Sequence, residues 1–350
     1  MTMNDALIRN FTELLGAGNV LQDEPMSAHT SFRVGGPADV FLRVGTAGQL
    51  RAVLALLRET KGSCYLLGRG TNLLVGDGGY RGTIIAMADT QRRVPGSVQN
   101  IDSSGHEPAD SCGAAACAEG TGRELSLTGI AVSGTRIVVG AGETLAAAAA
   151  AARDHGLTGL EFASGIPGSV GGALVMNAGA YGGSMDQVVE SVTLLLPDGS
   201  IVDRKADEMR FGYRYSLLKE CQAAALSAVL RLQEDDPARI DARMRQLSLQ
   251  RREKQPLEYP SAGSTFKRPK GYYAGKLIMD AGLRGYQVGG AAVSEKHCGF
   301  VINRGNATAS DVRAVIREVR RRVKENTGVD LEEEVISLGD FGVWQEESAK

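Results

Sequence analysis

Three glycine-rich stretches carry the strongest chemical hint in this 350-residue chain. They read Gly68-Arg69-Gly70-Thr71-Asn72, Gly165-Ile166-Pro167-Gly168-Ser169-Val170-Gly171-Gly172 and Asn177-Ala178-Gly179-Ala180-Tyr181-Gly182. Successive backbone N–H groups in such loops converge on anions, and glycine removes the Cβ that would hold a pyrophosphate away. That attraction needs no surplus of basic residues. The GxxxxGK[ST] spacing is absent, and Gly140-Ala141-Gly142 lacks the third glycine of a Rossmann fingerprint. Any one of these loops alone is most simply a tight turn. Three of them beside strand-like runs leave two readings open, plain turns or a cradle for a dinucleotide such as FAD.

The elements around the loops follow from periodicity. Residues 1–21 read as an amphipathic helix ending in a Gly16–Gly18 turn, with Asp5, Arg9 and Glu13 inside the apolar pattern, unlike a signal h-region. A helix is predicted over 46–60, where Thr46 and Gln49 have capping-box spacing and Leu50, Val53, Leu54 and Leu57 form the stripe. Strands are predicted at Cys64–Leu67, Leu73–Val75, Thr83–Met87 and Ile137–Val139. Leu145–Ala152, with its seven consecutive alanines, reads as a helix stopped by Gly156. A strand pair is predicted over 187–203 around Asp198-Gly199, and the polar stretch Gln233–Arg239 reads as a linker. Further strands are expected near Ser264–Lys267 and Gly299–Asn303. A helix over Ala309–Asn326 starts at Thr308, with Asp311 three residues on, and buries Val312, Val315, Ile316, Val319 and Val323. Residues 91–121 show no sustained period and read as an inserted surface loop.

Composition narrows the function classes. The net charge is −2, which argues against bulk nucleic-acid binding, so the arginines at 317 and 320–322 read as the solvated face of the last helix. Glycine is 45 of 350 residues, well above the usual ~7%, which fits many tight turns. Five cysteines without a CxxC pair, and four scattered histidines, fit a reducing compartment with no metal site. No run reaches ~18 apolar residues, so no membrane span is expected. These features together suggest a cytoplasmic protein.

Eight stretches in order make a more specific pattern: HTSFRVGGPAD (29–39), LGRGTNLLV (67–75), GLEFASGIPGSVGGALVMNAGAYGG (159–183), RFGYRYSLLK (210–219), PSAGSTFKRP (260–269), YYAGKLIMDAGLRG (272–285), GGAAVSEKHCGFVINRGNATA (289–309) and GVDLEEEV (328–335). With them the chain resembles the UDP-N-acetylenolpyruvoylglucosamine reductases, flavoenzymes that complete UDP-N-acetylmuramate synthesis for bacterial peptidoglycan. Only 50 residues separate Arg214 from Ser264, which is similar to the shorter branch of that family, without a tyrosine-loop insertion. The resemblance implies an α+β fold, in which a two-subdomain FAD-binding module of the PCMH or vanillyl-alcohol-oxidase type precedes a C-terminal α/β substrate-binding domain. The domains expected are an N-terminal helix (1–21), FAD-binding subdomain 1 (22–90), the inserted loop (91–121), FAD-binding subdomain 2 (122–235) and the substrate domain (236–345).

The resemblance also implies noncovalent FAD, NADPH as co-substrate, a UDP-sugar substrate, and no nucleic-acid or membrane partner. The FAD contacts would be Gly68, Arg69, Gly70, Thr71, Asn72, Gly165, Ile166, Pro167, Gly168, Ser169, Gly171, Gly172, Asn177, Gly179 and Ala180. Three residues match the catalytic set. These are Arg214 in FGYR, Ser264 in AGS, and Glu334 in the family's LExEV pattern, which here reads Leu331-Glu332-Glu333-Glu334-Val335. A guanidinium suits an enolate-like carboxylate in fixed geometry. A carboxyl at 334 would share a proton with the substrate, because a bare carboxylate would repel it. The Ser264 hydroxyl would protonate C2 after hydride reaches C3, with acidity supplied by neighbours. Outside the resemblance these three read as a surface ion pair, a turn residue and a strand-edge charge. Tyr213, Lys254, Arg268 and His297 are the expected substrate contacts, Lys254 for the diphosphate.

Overall fold

The computed structural model describes residues 3–87, 99–100 and 125–342. The expected insertion at 91–121 therefore lies outside the described residues, apart from Gln99–Asn100, which pair in parallel with Ala131–Val132. The chain forms two compact units, one of residues 1–21, 41–68 and 84–251, the other of 22–40, 69–83 and 252–350.

The first unit is built on a sheet whose strands run in the order Ile201–Lys205, Val189–Leu195, Ala224–Arg231, Arg136–Gly140, Ile130–Ser133 and Gln99–Asn100. Strand Ala224–Arg231 is buried along all but its last residue, as expected of a central strand covered on both faces. The predicted pair at 187–203 forms an antiparallel hairpin in which Leu195 faces Ile201. The alanine run becomes helix Leu145–Asp154, with Thr144 Oγ1 accepting from the Ala147 amide at 3.0 Å. Ala148, Ala149, Ala151 and Ala152 are all buried, their short side chains allowing close approach to the sheet. Helix Ala47–Glu59 starts on Thr46 as its spacing predicts and buries Leu50, Val53 and Leu57.

The linker expected at Gln233–Arg239 is not there. Gln233–Glu234 pairs with Leu157–Thr158, and an 18-residue helix, Pro237–Lys254, follows. Proline at its first position suits a helix start, and Asp236 accepts from the Ala238 amide at 2.9 Å. This helix escapes periodicity because charge holds it more than an apolar stripe does. Arg243 reaches Asp235 at 2.6 Å and Glu161 at 2.9 Å, while Ile240 is its buried apolar anchor. The seven-residue helices Val170–Met176 and Ala274–Asp280 were likewise not expected, being too short to establish a period.

The second unit holds an antiparallel sheet of Gln287–Val288, Ala291–Val293 and Val301–Asn303. Helix Ala309–Thr327 covers it through the five predicted residues, all buried. Its capping box is complete, with Asp311 N donating to Thr308 Oγ1 and Thr308 N to Asp311 Oδ2, both at 3.0 Å. A parallel pair joins Leu73–Val75 to Ile336–Leu338. Around Ser264–Lys267 the expected strand is reduced to a single bridge, Phe266 opposite Glu333.

The basic face of helix Ala309–Thr327 is an ion-pair surface. Arg321 pairs with Glu318 and Glu325, Arg322 with Glu318, and Arg320 with Asp330 and Glu333. Hydrogen bonds from Arg321, then Arg322, hold the Glu318 carboxyl at about 2 instead of its ordinary 4.5. A depressed carboxyl stabilises the fold above its unfolded value and loses that contribution as pH falls through its folded one. The stability gap between wild type and Glu318→Gln should therefore be constant above about pH 5 and close as the pH approaches about 2. Denaturant titrations across that range measure it, and a gap that ignores pH would reject the role given to this carboxylate.

Candidate active site

In the first unit the second and third glycine loops form the two ends of one short helix. Ser169 is buried and caps helix Val170–Met176, its hydroxyl accepting from Gly172 N at 3.3 Å. At seven residues this helix is ~10 Å long. Gly68, the one residue of the first loop in this unit, meets it, since a Cβ built there would lie 2.6 Å from Ser169 Oγ and 3.9 Å from Gly172 Cα. Gly68 and Gly172 are both exposed, so bare main chain is presented from two adjoining loops. That side-chain-free ridge fits a ligand that must approach backbone closely.

The donor half of the nest expectation needs correcting. The amides of Gly168, Val170 and Gly171 each donate at 2.8 Å, to the carbonyls of Ile166, Glu143 and Ala141. At 168–172 the glycines therefore supply close approach instead of anion-binding donors. The third loop is a hairpin pairing Gly179 with Ser184 and Ala180 with Gly183. Its two turn residues, Tyr181 (φ 53) and Gly182 (φ 87), share the left-handed backbone favoured in two-residue hairpins. Arg251, which sequence reasoning missed, lies against loop two, its Cδ 3.3 Å from a Cβ built on Gly165. Burial pushes its guanidinium below the ordinary arginine range, while the Tyr181 hydroxyl opposes that shift.

Arg214 also belongs to the first unit. It sits in a closed turn in which Gly212 N donates to Tyr215 O at 3.0 Å and Tyr215 N to Gly212 O at 3.2 Å. Its φ is 54, in the left-handed region that costs a residue with a Cβ roughly 1–2 kcal/mol. Strain of this kind collects at functional positions. The Arg214 guanidinium lies 5.2 Å from the centre of the Tyr213 ring, which is 57% exposed. Lys219 Nζ donates to Arg214 O at 3.2 Å.

Ser264 and Glu334 belong to the second unit, which brings their segments side by side. Thr265, fully buried, is the anchor between them and was missed by sequence reasoning. Its N donates to Gly299 O at 2.9 Å, its Oγ1 accepts from Val301 N at 3.0 Å, and its carbonyl accepts from Glu334 N at 2.9 Å. Ser264 stands exposed just before that anchor. The structure also separates the three consecutive glutamates. Glu332 pairs with Lys267 and Glu333 with Arg320 at 3.1 Å. Glu334 is half-buried, and its carbonyl accepts from Asn72 Nδ2 at 3.0 Å. Asn72 therefore spends its side-chain amide on the Glu334 segment. Gly70, at φ 62, nestles against His29, where a Cβ would lie 1.9 Å from the carbonyl oxygen.

The expected substrate contacts are less alike. Lys254 is exposed at the end of its helix. Arg268 lies 4.0 Å from the centre of the Tyr273 ring and donates to Tyr272 O at 3.3 Å. The His297 ring packs edge-on against Phe300 with centroids 5.0 Å apart, and its Nδ1 accepts from Gly299 N at 3.1 Å. Burial lowers its affinity for a proton below the ordinary histidine value of 6.5. NMR titration of the His297 ring should give a midpoint below 6.5, with a neutral ring carrying its proton on Nε2. A midpoint above that value would reject this packing.

Comparison with known proteins fits this arrangement. A family described as FAD binding domain matches residues 38–204, and one described as UDP-N-acetylenolpyruvoylglucosamine reductase, C-terminal domain, matches 255–338. The UDP-N-acetylenolpyruvoylglucosamine reductase of Caldanaerobacter subterraneus subsp. tengcongensis is 44% identical over 97% of this chain and 100% of its own length. That of Agathobacter rectalis is also 44% identical, with the same coverage. The crystal structure of UDP-N-acetylenolpyruvylglucosamine reductase from Thermus caldophilus aligns with a TM-score of 0.68 at 32% identity, over 91% of this chain and 98% of that one. The fold and the glycine ridge thus define an α+β protein of the flavoenzyme class, an FAD-binding domain followed by a dedicated C-terminal domain, as the resemblance implied. Within that class, the chain belongs to the UDP-N-acetylenolpyruvoylglucosamine reductase family.

Proposed function

We propose that this protein is the FAD-dependent oxidoreductase that reduces the enolpyruvyl ether of UDP-N-acetylglucosamine enolpyruvate to UDP-N-acetylmuramate, with NADPH as reductant. The full-length relationship to reductases of that name carries the reading. Bound FAD supplies two-electron hydride chemistry. The residues expected to hold it are those of the three glycine loops, Asn177 through its main chain alone, with Gly68 and Gly172 giving it bare backbone.

The protein's own groups do the rest. Reduction adds a hydride equivalent at C3 of the ether and a proton at C2. Negative charge grows on the substrate carboxylate between those events. Arg214, its backbone fixed in a closed turn, binds that carboxylate and stabilises the growing charge. Glu334 shares a proton with the same group, which removes the repulsion two bare carboxylates would feel. Ser264 Oγ–H delivers the proton to C2, its main chain held by the Thr265 anchor. Tyr213, Lys254, Arg268 and His297 are the further substrate contacts, Lys254 meeting the diphosphate as a mobile point charge. Both co-substrates are soluble metabolites, so we place the reaction in the cytoplasm. Among the described residues no helix is long and apolar enough to cross a membrane.

Stopped-flow absorbance tests the whole reading. NADPH should bleach the flavin band of the purified protein near ~450 nm, a property of the cofactor. Anaerobic addition of UDP-N-acetylglucosamine enolpyruvate should restore it. Bleaching that this substrate cannot reverse would leave a flavoprotein of some other activity.

A further inference from the structure

Asn177 stands among the expected FAD contacts, yet both ends of its carboxamide bond to protein main chain. It is 6% exposed. Its Oδ1 accepts from Asp186 N at 3.0 Å and its Nδ2 donates to Gly212 O at 3.1 Å. Gly212 opens the closed turn that carries Arg214. A second bond ties the same two segments, from the fully buried Ser216 Oγ to Val175 O at 3.0 Å. The end of helix Val170–Met176 and the Arg214 turn are thus joined by two short polar links, one on either side of Arg214.

The residue types argue that the links have a purpose. Asn177 ends the helix at φ 41, a position glycine fills without cost. The chain uses glycine freely elsewhere, so asparagine here answers to a need for its side chain. A carboxamide is the group that can accept from one main-chain amide while donating to one main-chain carbonyl. Arg214 itself is held at a strained φ of 54, and a strained residue persists only where its surroundings over-determine it.

We propose that Asn177 and Ser216 are positioning residues that clamp the Arg214 turn to the C-terminal end of helix Val170–Met176, where the third glycine loop begins. The clamp fixes the guanidinium for the substrate carboxylate and gives the cofactor no side-chain contact. This inference rests on the role of Arg214 proposed above.

The test uses the FAD-loaded enzyme with Asn177→Gly, Asn177→Asp and Ser216→Ala. Glycine keeps the helix end relaxed and removes both side-chain bonds. Aspartate keeps the acceptor and sets a second oxygen against Gly212 O. Flavin content and bleaching by NADPH should stay close to wild type in Asn177→Gly and Ser216→Ala. Substrate-driven reoxidation should fall ~10–100-fold in both Asn177 variants, the scale expected for a catalytic group displaced by about 1 Å, and several-fold in Ser216→Ala. Wild-type reoxidation in Asn177→Gly would overturn the clamp, and so would a loss that tracks flavin content or affects bleaching equally. Arg214→Ala separates the two levels of the argument. If it reoxidises normally, the proposed role of Arg214 fails and the clamp with it. If it is impaired while Asn177→Gly is normal, only the clamp fails.

Discussion

Ser264→Ala should cut product formation by ~10²–10⁴-fold, the range of a lost general acid, while NADPH still bleaches the flavin at the wild-type rate. The hydroxyl is exposed and the fold does not lean on it. The adjoining Thr265 bears the structural load through its three bonds to Gly299, Val301 and Glu334. Alanine at 264 therefore removes a proton donor and little else, and the thermal midpoint should barely move. Ser264→Cys offers a sharper arm. A thiol is a stronger acid than a hydroxyl, with an unperturbed pKa of ~8.5, and should recover part of the lost rate. Substrate turnover by Ser264→Ala within about threefold of wild type would sink the proton-donor role, far below the loss expected. A matching loss of flavin reduction would sink it equally, by showing damage upstream of the proton.

What the sequence made legible was short-range. Thr46 and Thr308 cap helices as their spacing predicts, because a cap is decided by a side chain and an amide a few residues apart. The stripe of helix Ala309–Thr327 was equally plain, since burial follows a local period. Helix Pro237–Lys254 is not legible in the sequence, where Gln233–Arg239 reads as a linker, because its support comes from elsewhere in the chain, with Arg243 reaching back to Glu161. The choice among Glu332, Glu333 and Glu334 shows the same limit. Nothing local distinguishes three glutamates in a row, and their environments differ through Lys267, Arg320 and Asn72.

The site was legible in a different way. Physical reading found the glycine loops but misjudged part of their work in the second, since the amides of Gly168, Val170 and Gly171 are spent on neighbouring carbonyls. Arg214, Ser264 and Glu334 came from resemblance alone. The left-handed φ of Arg214 leaves no trace in composition or period. The carboxamides of Asn72 and Asn177 look like ligand donors in a sequence, and the structure turns both onto main chain.

Gly70→Ala should destabilise the protein by ~3–5 kcal/mol, combining an overpacked contact with an unfavourable backbone. That would be a large part of the ~5–15 kcal/mol that holds a typical domain folded. A Cβ at residue 70 would lie 1.9 Å from His29 O, 3.0 Å from His29 C and 3.1 Å from Thr30 Cα. All three atoms are main chain, so no flexible side chain can swing away. The segment they belong to is fastened on both sides. His29 N donates to Met26 O at 2.9 Å, Ser31 N to Gly70 O at 3.0 Å, and the buried Thr30 hydroxyl to Val34 O at 2.8 Å. Gly134→Ala is the matched control. Its φ of 54 is equally left-handed, but a Cβ there would meet nothing within 4 Å. It should cost only about 1 kcal/mol, the backbone share alone. Urea unfolding followed by circular dichroism measures both variants, and the difference between them isolates the close approach at His29. Equal losses would show that the segment from Met26 to Val34 can yield, and that glycine at 70 answers to its φ alone. If the difference holds, Gly70→Ala should also purify with less flavin than Gly134→Ala, because relieving the clash requires moving the loop that bears Arg69, Thr71 and Asn72.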